Sequence, residues 1–264
     1  MKSKVYAVLA SLLAVSAFQA VKAERLPTPF ELAKQALLAT KPAPAPLWQE
    51  LAKLAPTADA AVLRMAVDAM TCAVKTGQQN AERLAVIDFA KPSTEIRLWV
   101  FDLASKQLLF SELVAHGRNS GANYANAFSD RTGSHASSLG LYRTLSPYMG
   151  KHGYSLRLAG LEPGYNANAL SRAIVIHGAD YVSDTFAKQQ GRLGRSHGCP
   201  AVRTAVATSI VDSLKGGNYV FAYYPDAQWL KTSRFLACDG PKTFVAEGGG
   251  TTPATDSAHV AEAR

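Results

Sequence analysis

The chain has 264 residues, of which 48% are hydrophobic and 18% charged, with 19 Gly, 13 Pro and 3 Cys. That composition excludes a collagen, a disulfide-dense miniprotein, a multispanning membrane protein and a largely disordered chain. The formal charge of +8, with a pI near 9.4, leaves nucleic acid, an anionic membrane or an acidic polymer as partners.

The first element expected in chain order is an export signal. Lys2 and Lys4 precede an apolar run from Val5 to Phe18, and Val21-Lys22-Ala23 offers small residues for cleavage. The run is shorter than the roughly 20 residues that span a membrane. Residues 1–23 therefore read as a signal peptide, with no membrane span after cleavage and a destination in the periplasm or cell envelope. Cleavage removes three lysines and no acid, which lowers the charge to +5. With no dense Lys/Arg run, that excess argues against nucleic acid and suits an acidic polymer outside the cell membrane.

Residues 24–83 read as a helical region. Pro27 to Leu38 could form a short helix, followed by the Pro/Ala linker Lys41 to Pro46 and a second helix from Trp48 to Leu54. From Ala60 to Lys75, Leu63, Val67, Met70 and Val74 recur at helical spacing, and Gly77 ends the pattern. That stripe predicts a packing face, with Met65 and Met70 in the core.

The texture changes at Leu84, where a β-rich domain of residues 84–245 is expected to begin. Candidate strands are Leu84 to Phe89, Ile96 to Phe101, Gln107 to Val114, Gly140 to Thr144, Ser155 to Leu158, Ala173 to His177 and Asn218 to Tyr224. Asp102 to Lys106 reads as a hairpin loop, and long polar stretches run from Gly117 to Ser138 and from Asp180 to Arg195. A helix is expected from Pro200 to Lys215, and residues 246–264 read as a disordered tail. The fold class predicted is mainly β with flanking helices, carrying an N-terminal helical appendage.

Three cysteines in an oxidising compartment leave one over if two pair. Two arrangements follow: a Cys72–Cys238 disulfide with Cys199 free, or three buried thiols.

Chemistry concentrates in Ala173-Ile-Val-Ile-His-Gly178 and Gly194-Arg-Ser-His-Gly-Cys-Pro-Ala-Val-Arg203. In the first, a buried β run ends on His177. In the second, Cys199 precedes Pro200, a residue favoured in the first turn of a helix. The thiol would then lie at the positive end of a helix dipole, with its pKa lowered. A thiolate nucleophile needs a base, for which His177 and His197 are the candidates. The N–H groups of Gly198 and Cys199 are the natural oxyanion donors for acyl transfer. His116, His135, His152 and His259 read as ordinary core or surface residues. Zinc is disfavoured because no second close Cys or carboxylate accompanies Cys199, His197 and His177, so no metal and no cofactor are expected.

His177-Gly178, a spacer, and Ser196-His197-Gly198-Cys199 together resemble the signature of the L,D-transpeptidase catalytic domain of the YkuD type. The resemblance spans roughly residues 84–224 and implies a small β-rich, YkuD-like domain acting on peptidoglycan stem peptides, as donor and acceptor. It implies Cys199 as nucleophile, His177 as base, Gly178 as the carbonyl that orients that base, and His197, Gly198 and Cys199 as the oxyanion region. Pro200-Ala201 departs from the family pattern, and the next arginine, Arg203, comes two places late. Ser196, Arg192, Arg195 and Arg203 are candidates to hold the substrate, the arginines through a stem-peptide carboxylate. Three outcomes stay open: L,D-transpeptidation, L,D-carboxypeptidase hydrolysis at the same site, or a peptidoglycan-binding module without catalysis.

Overall fold

The computed structural model describes residues 25, 27–32 and 45–238. The signal segment 1–23, most of the Pro27–Leu38 helix and of the linker after it, His259 and the tail 246–264 lie outside the described residues. The chain divides between Pro44 and Ala45. In the first unit residues 29–32 are helical, and Thr28 and Glu31 cap each other reciprocally: Glu31 N–H donates to Thr28 Oγ1 at 3.2 Å and Thr28 N–H to Glu31 Oε2 at 2.7 Å.

In the second unit two helices come first, α1 (Leu47–Leu54) and α2 (Ala60–Lys75). The Asp59 side chain caps α2 by accepting from Ala61 N–H, and Leu63, Ala66, Val67 and Met70 face inward. Eight strands follow: β1 (Arg83–Asp88), β2 (Leu98–Asp102), β3 (Gln107–Glu112), β4 (Gly140–Gly150), β5 (Gly153–Gly160), β6 (Val175–Gly178), β7 (Ala201–Val202) and β8 (Tyr219–Tyr223). Three helices interrupt or follow them: α3 (Asp184–Gln190), α4 (Thr204–Leu214) and α5 (Ala227–Thr232).

The strands form one sheet in the order β3-β2-β1-β8-β4-β5-β6-β7, with β1–β8 and β6–β7 parallel and the other pairs antiparallel. Leu84, Ala85, Val86 and Ile87 of β1 are all buried, as in a strand covered on both faces. Here α2 packs on β1, β4 and β8, while α4 packs on β5, β6 and β1. Leu51, Leu63 and Met70 of the first two helices share one core with Leu84, Phe101 and Phe221, so these helices form a layer of the same body as the sheet. Cys72 of α2 is joined to Cys238, with their Cα atoms 5.3 Å apart.

The segment after β3 crosses to the far edge of the sheet. Ala115 bridges Ala201 of β7, Ala115 N–H donating to its carbonyl at 2.8 Å, and Gly117 bridges Ser196. The sheet thereby closes almost into a barrel, and the seam lies where the two chemical motifs meet. A buried carboxylate secures the opposite side. Glu162 accepts from Leu141 N–H at 2.7 Å, Trp229 Nε1–H at 3.0 Å and the Ser233 hydroxyl at 2.6 Å, tying β4 to α5.

The element expected from Pro200 to Lys215 is corrected. Ala201 and Val202 form β7 beside His177 and Gly178, and α4 begins only at Thr204. The physical reason is competition for backbone groups: Ala201 and Val202 carbonyls accept from Ala115 and Ala179 N–H, which satisfies them in the sheet and not in a helix. The Asp180–Arg195 stretch, read as a loop, contains α3, capped by the Ser183 side chain on Phe186 N–H and ended by Gly191 in the left-handed region.

Candidate active site

β6 delivers His177 at its third position, and its ring is buried, with 3% of the residue accessible. His177 Nδ1 lies 2.9 Å from the Gly178 carbonyl oxygen. A carbonyl only accepts, so Nδ1 carries the hydrogen and Nε2 is left with its lone pair. Burial lowers the pKa of His177 below its ordinary value, and His152 adds to the effect, while the Gly178 carbonyl partly opposes it. The ring is therefore neutral near pH 7 with one tautomer favoured.

β7 runs parallel to β6 with Ala201 opposite His177, which places Cys199 two residues back along the same edge. The half-buried thiol lies 3.6 Å from the Ala173 carbonyl, as a donor to it. Because α4 starts at Thr204, Cys199 is not at a helix N-terminus, and no helix dipole lowers its thiol pKa, contrary to the expectation from Pro200. Burial raises the thiol pKa, opposed by the Val175 amide and by the Arg172 and Lys151 charges. At rest the site holds a neutral thiol and a neutral imidazole, so a thiolate would form here only by transfer of the thiol proton.

The turn that carries Cys199 is held from inside. Ser196 Oγ donates to the Cys199 carbonyl at 2.6 Å and accepts from Gly198 N–H at 3.0 Å. The Gly198 amide is thus engaged within the turn. The Cys199 amide makes no hydrogen bond among the described residues. Gly198 has φ +122°, and a Cβ there would lie 2.8 Å from the Ala136 carbonyl oxygen, so both conformation and space require glycine. Ser196 is likewise buried, with its hydroxyl used within the turn.

Two of the three candidate arginines are occupied elsewhere. Arg203 makes a two-pronged ion pair with Glu112, at 2.7 and 2.6 Å, and Arg195 donates to the Gly121 carbonyl at 3.0 Å. Arg192 donates to the Leu193 carbonyl at 2.8 Å and is left half-buried. His197 is exposed and stacks on His135, their centroids 4.3 Å apart, and His135 accepts from Arg118 at 2.7 Å.

Arg172 was not legible as a site residue. Its guanidinium is almost fully buried and donates to the carbonyls of Ser129 at 2.8 Å and Ala136 at 2.7 Å, and to the hydroxyls of Ser134 and Ser138. It also lies 3.5 Å from Asp130. This one side chain gathers the Ser129–Ser138 loop beneath the Gly198 turn. Its only sequence signal is its place one residue before the Ala173–Gly178 run.

His116 is a second buried histidine. Its Nδ1 accepts from Arg97 Nη2 at 2.8 Å, while Nε2 lies 3.4 Å from the Gly121 carbonyl. Burial and the Arg97 charge bring its pKa down to about 4. Among the described residues no group of three or more His, Cys, Asp or Glu side chains is arranged to hold a metal ion. No helix among them is long and apolar enough to cross a membrane.

A family profile, the L,D-transpeptidase catalytic domain, matches residues 54–223. The chain belongs to the L,D-transpeptidase catalytic-domain family. Curated proteins give no significant match. Solved structures similar to it include an L,D-transpeptidase from Mycobacterium smegmatis, 14% identical over 55% of this chain and 60% of that one, TM-score 0.35. Another, from Stackebrandtia nassauensis, is 13% identical over 67% and 89%, TM-score 0.34, and one from Xylanimonas cellulosilytica is 16% identical over 58% and 68%, TM-score 0.32. The match spans about 60% of the length of the first of these structures. Likenesses of this size carry no weight in the account of the site.

Proposed function

We propose that this protein is an exported cysteine acyltransferase that forms L,D cross-links between peptidoglycan stem peptides. Family membership supports the substrate class, and the observation that carries the mechanism is the Gly178 carbonyl at 2.9 Å from His177 Nδ1, which leaves Nε2 free to accept a proton. The Cys199 thiol gives its proton to His177 Nε2 as sulfur attacks the carbonyl carbon of the third stem residue. The developing oxyanion takes the Cys199 N–H. Collapse breaks the C–N bond, and D-Ala leaves with the proton returned from His177. An amine of a second stem then attacks the thioester, its proton passes to His177, and the thiol is regenerated with a new amide bond.

For sulfur to reach His177, the thiol must turn away from the Ala173 carbonyl as the substrate draws the site together. Export is supported by the Lys2/Lys4 and apolar pattern of residues 1–23 and by the Cys72–Cys238 disulfide, which belongs to an oxidising compartment.

The test is mass spectrometry of products from disaccharide-tetrapeptide, with a Cys199→Ala control. Cross-linked dimer that depends on Cys199 is the expected result. Cys199-dependent tripeptide alone would make the protein an L,D-carboxypeptidase, and unchanged tetrapeptide would leave a binding module.

A further inference from the structure

His152 occupies the two-residue turn Lys151-His152, between the paired Gly150 and Gly153 at the tip of the β4–β5 hairpin. Gly153, at φ +74°, supplies a left-handed residue beside this short turn. The hairpin is long, and its register shifts between Thr144 and Pro147, the irregularity that bends a two-stranded ribbon. β5 is paired to β6 through Leu156 and Arg157, so Tyr148–Gly150 and Gly153–Ser155 form an arm beyond those pairs. At its tip the His152 ring stacks on the His177 ring, with centroids 4.4 Å apart and planes 26° from parallel. His152 is itself exposed, whereas His177 is 3% accessible. The hairpin ring is thus a cover laid on one face of the strand-borne imidazole.

We propose that His152 is a positioning residue for His177, fixing the plane of its imidazole and shielding that face from water. This rests on His177 being the base. An imidazole held by one hydrogen bond can still swing about χ2, and every swing that keeps Nδ1 near the Gly178 carbonyl changes the direction of Nε2. The stacked ring removes that freedom. By keeping water off that face, the stacked ring also adds to the burial that holds His177 in the neutral form that can accept a proton. The other titratable groups around the stack are Lys151 on the same turn, His197 and Cys199 on the turn before β7, and Tyr181 beside the thiol.

Two variants of the full chain separate a ring from an imidazole: His152→Ala removes the cover, and His152→Phe keeps a flat ring without a titratable group. The readouts are kcat, KM and the NMR titration midpoint of the His177 ring carbon-bound hydrogens. With His152→Ala we expect kcat about 10- to 100-fold lower, KM within about twofold, and the His177 midpoint displaced upward towards about 6.5. His152→Phe should restore both kcat and the low midpoint. An unchanged midpoint and unchanged kcat in His152→Ala would overturn the proposal. So would His152→Phe behaving like His152→Ala, since that would give the role to the His152 nitrogens. The midpoint is read without turnover. A midpoint that responds as expected in a protein that turns over no substrate would support the positioning role while counting against the reaction proposed above.

Discussion

Two histidines come to the same cleft from different ground. His177 ends a buried strand, is covered by His152 and is oriented by a backbone carbonyl. His197 stands on an exposed turn, stacked equally closely on His135, with no hydrogen bond from its ring among the described residues. Stacking is common to both, so it does not distinguish them. The difference is a fixed carbonyl acceptor combined with burial, which together select one tautomer and hold the ring neutral.

The widest break of that comparison is to remove each ring in turn. His177→Gln should lower kcat/KM by about 10²- to 10⁴-fold, and His197→Gln by less than about tenfold, measured on the same tetrapeptide. Equal losses would mean that the strand and its carbonyl do not distinguish the two. A second test addresses what holds the exposed side. Arg172→Met strips the loop carrying His135 of its anchor and leaves Asp130 buried without its cation, a change worth about 3–5 kcal/mol in urea unfolding. Unaltered stability would show that the Ser129–Ser138 loop is held by other contacts.

The smallest effect sharpens the rule about buried neutral rings. His116 titrates at about 4 in the folded protein, against about 6.5 unfolded. The unfolded chain binds the proton first, so the stability from this group is complete above about pH 6.5 and lost as pH falls towards about 4, roughly 3 kcal/mol in all. Urea unfolding at several pH values should show that loss in this window, and His116→Gln should flatten it. His177, also lowered, adds in the same direction below about 6.5.

Much of the fold was legible because its strands and α2 carry local patterns. Leu84–Phe89 and Asn218–Tyr224 are apolar β-runs that end within a residue of β1 and β8. The helical stripe of Ala60–Lys75 matches α2 end to end. β7 escaped notice because a two-residue strand has no periodicity, and what makes it a strand is its pairing with His177, Gly178 and Ala115 from elsewhere in the chain. The error about Cys199 has the same origin, since Pro200 invites a helix locally and the sheet edge takes the backbone first. The Ser196–Cys199 motif was legible because Ser196, Gly198 and Cys199 build their turn among themselves. Arg172 and His152 were not, since one acts through a loop some forty residues earlier in the chain and the other from a hairpin tip.

The central claim is that Cys199 carries the acyl group, and intact-protein mass spectrometry during turnover of disaccharide-tetrapeptide tests it most directly. The account predicts a transient adduct equal to the donor less D-Ala, on the peptide containing Cys199, absent from Cys199→Ala and accumulating when no acceptor amine is supplied. Product formed with no adduct at Cys199, or formed equally by Cys199→Ala, would contradict it.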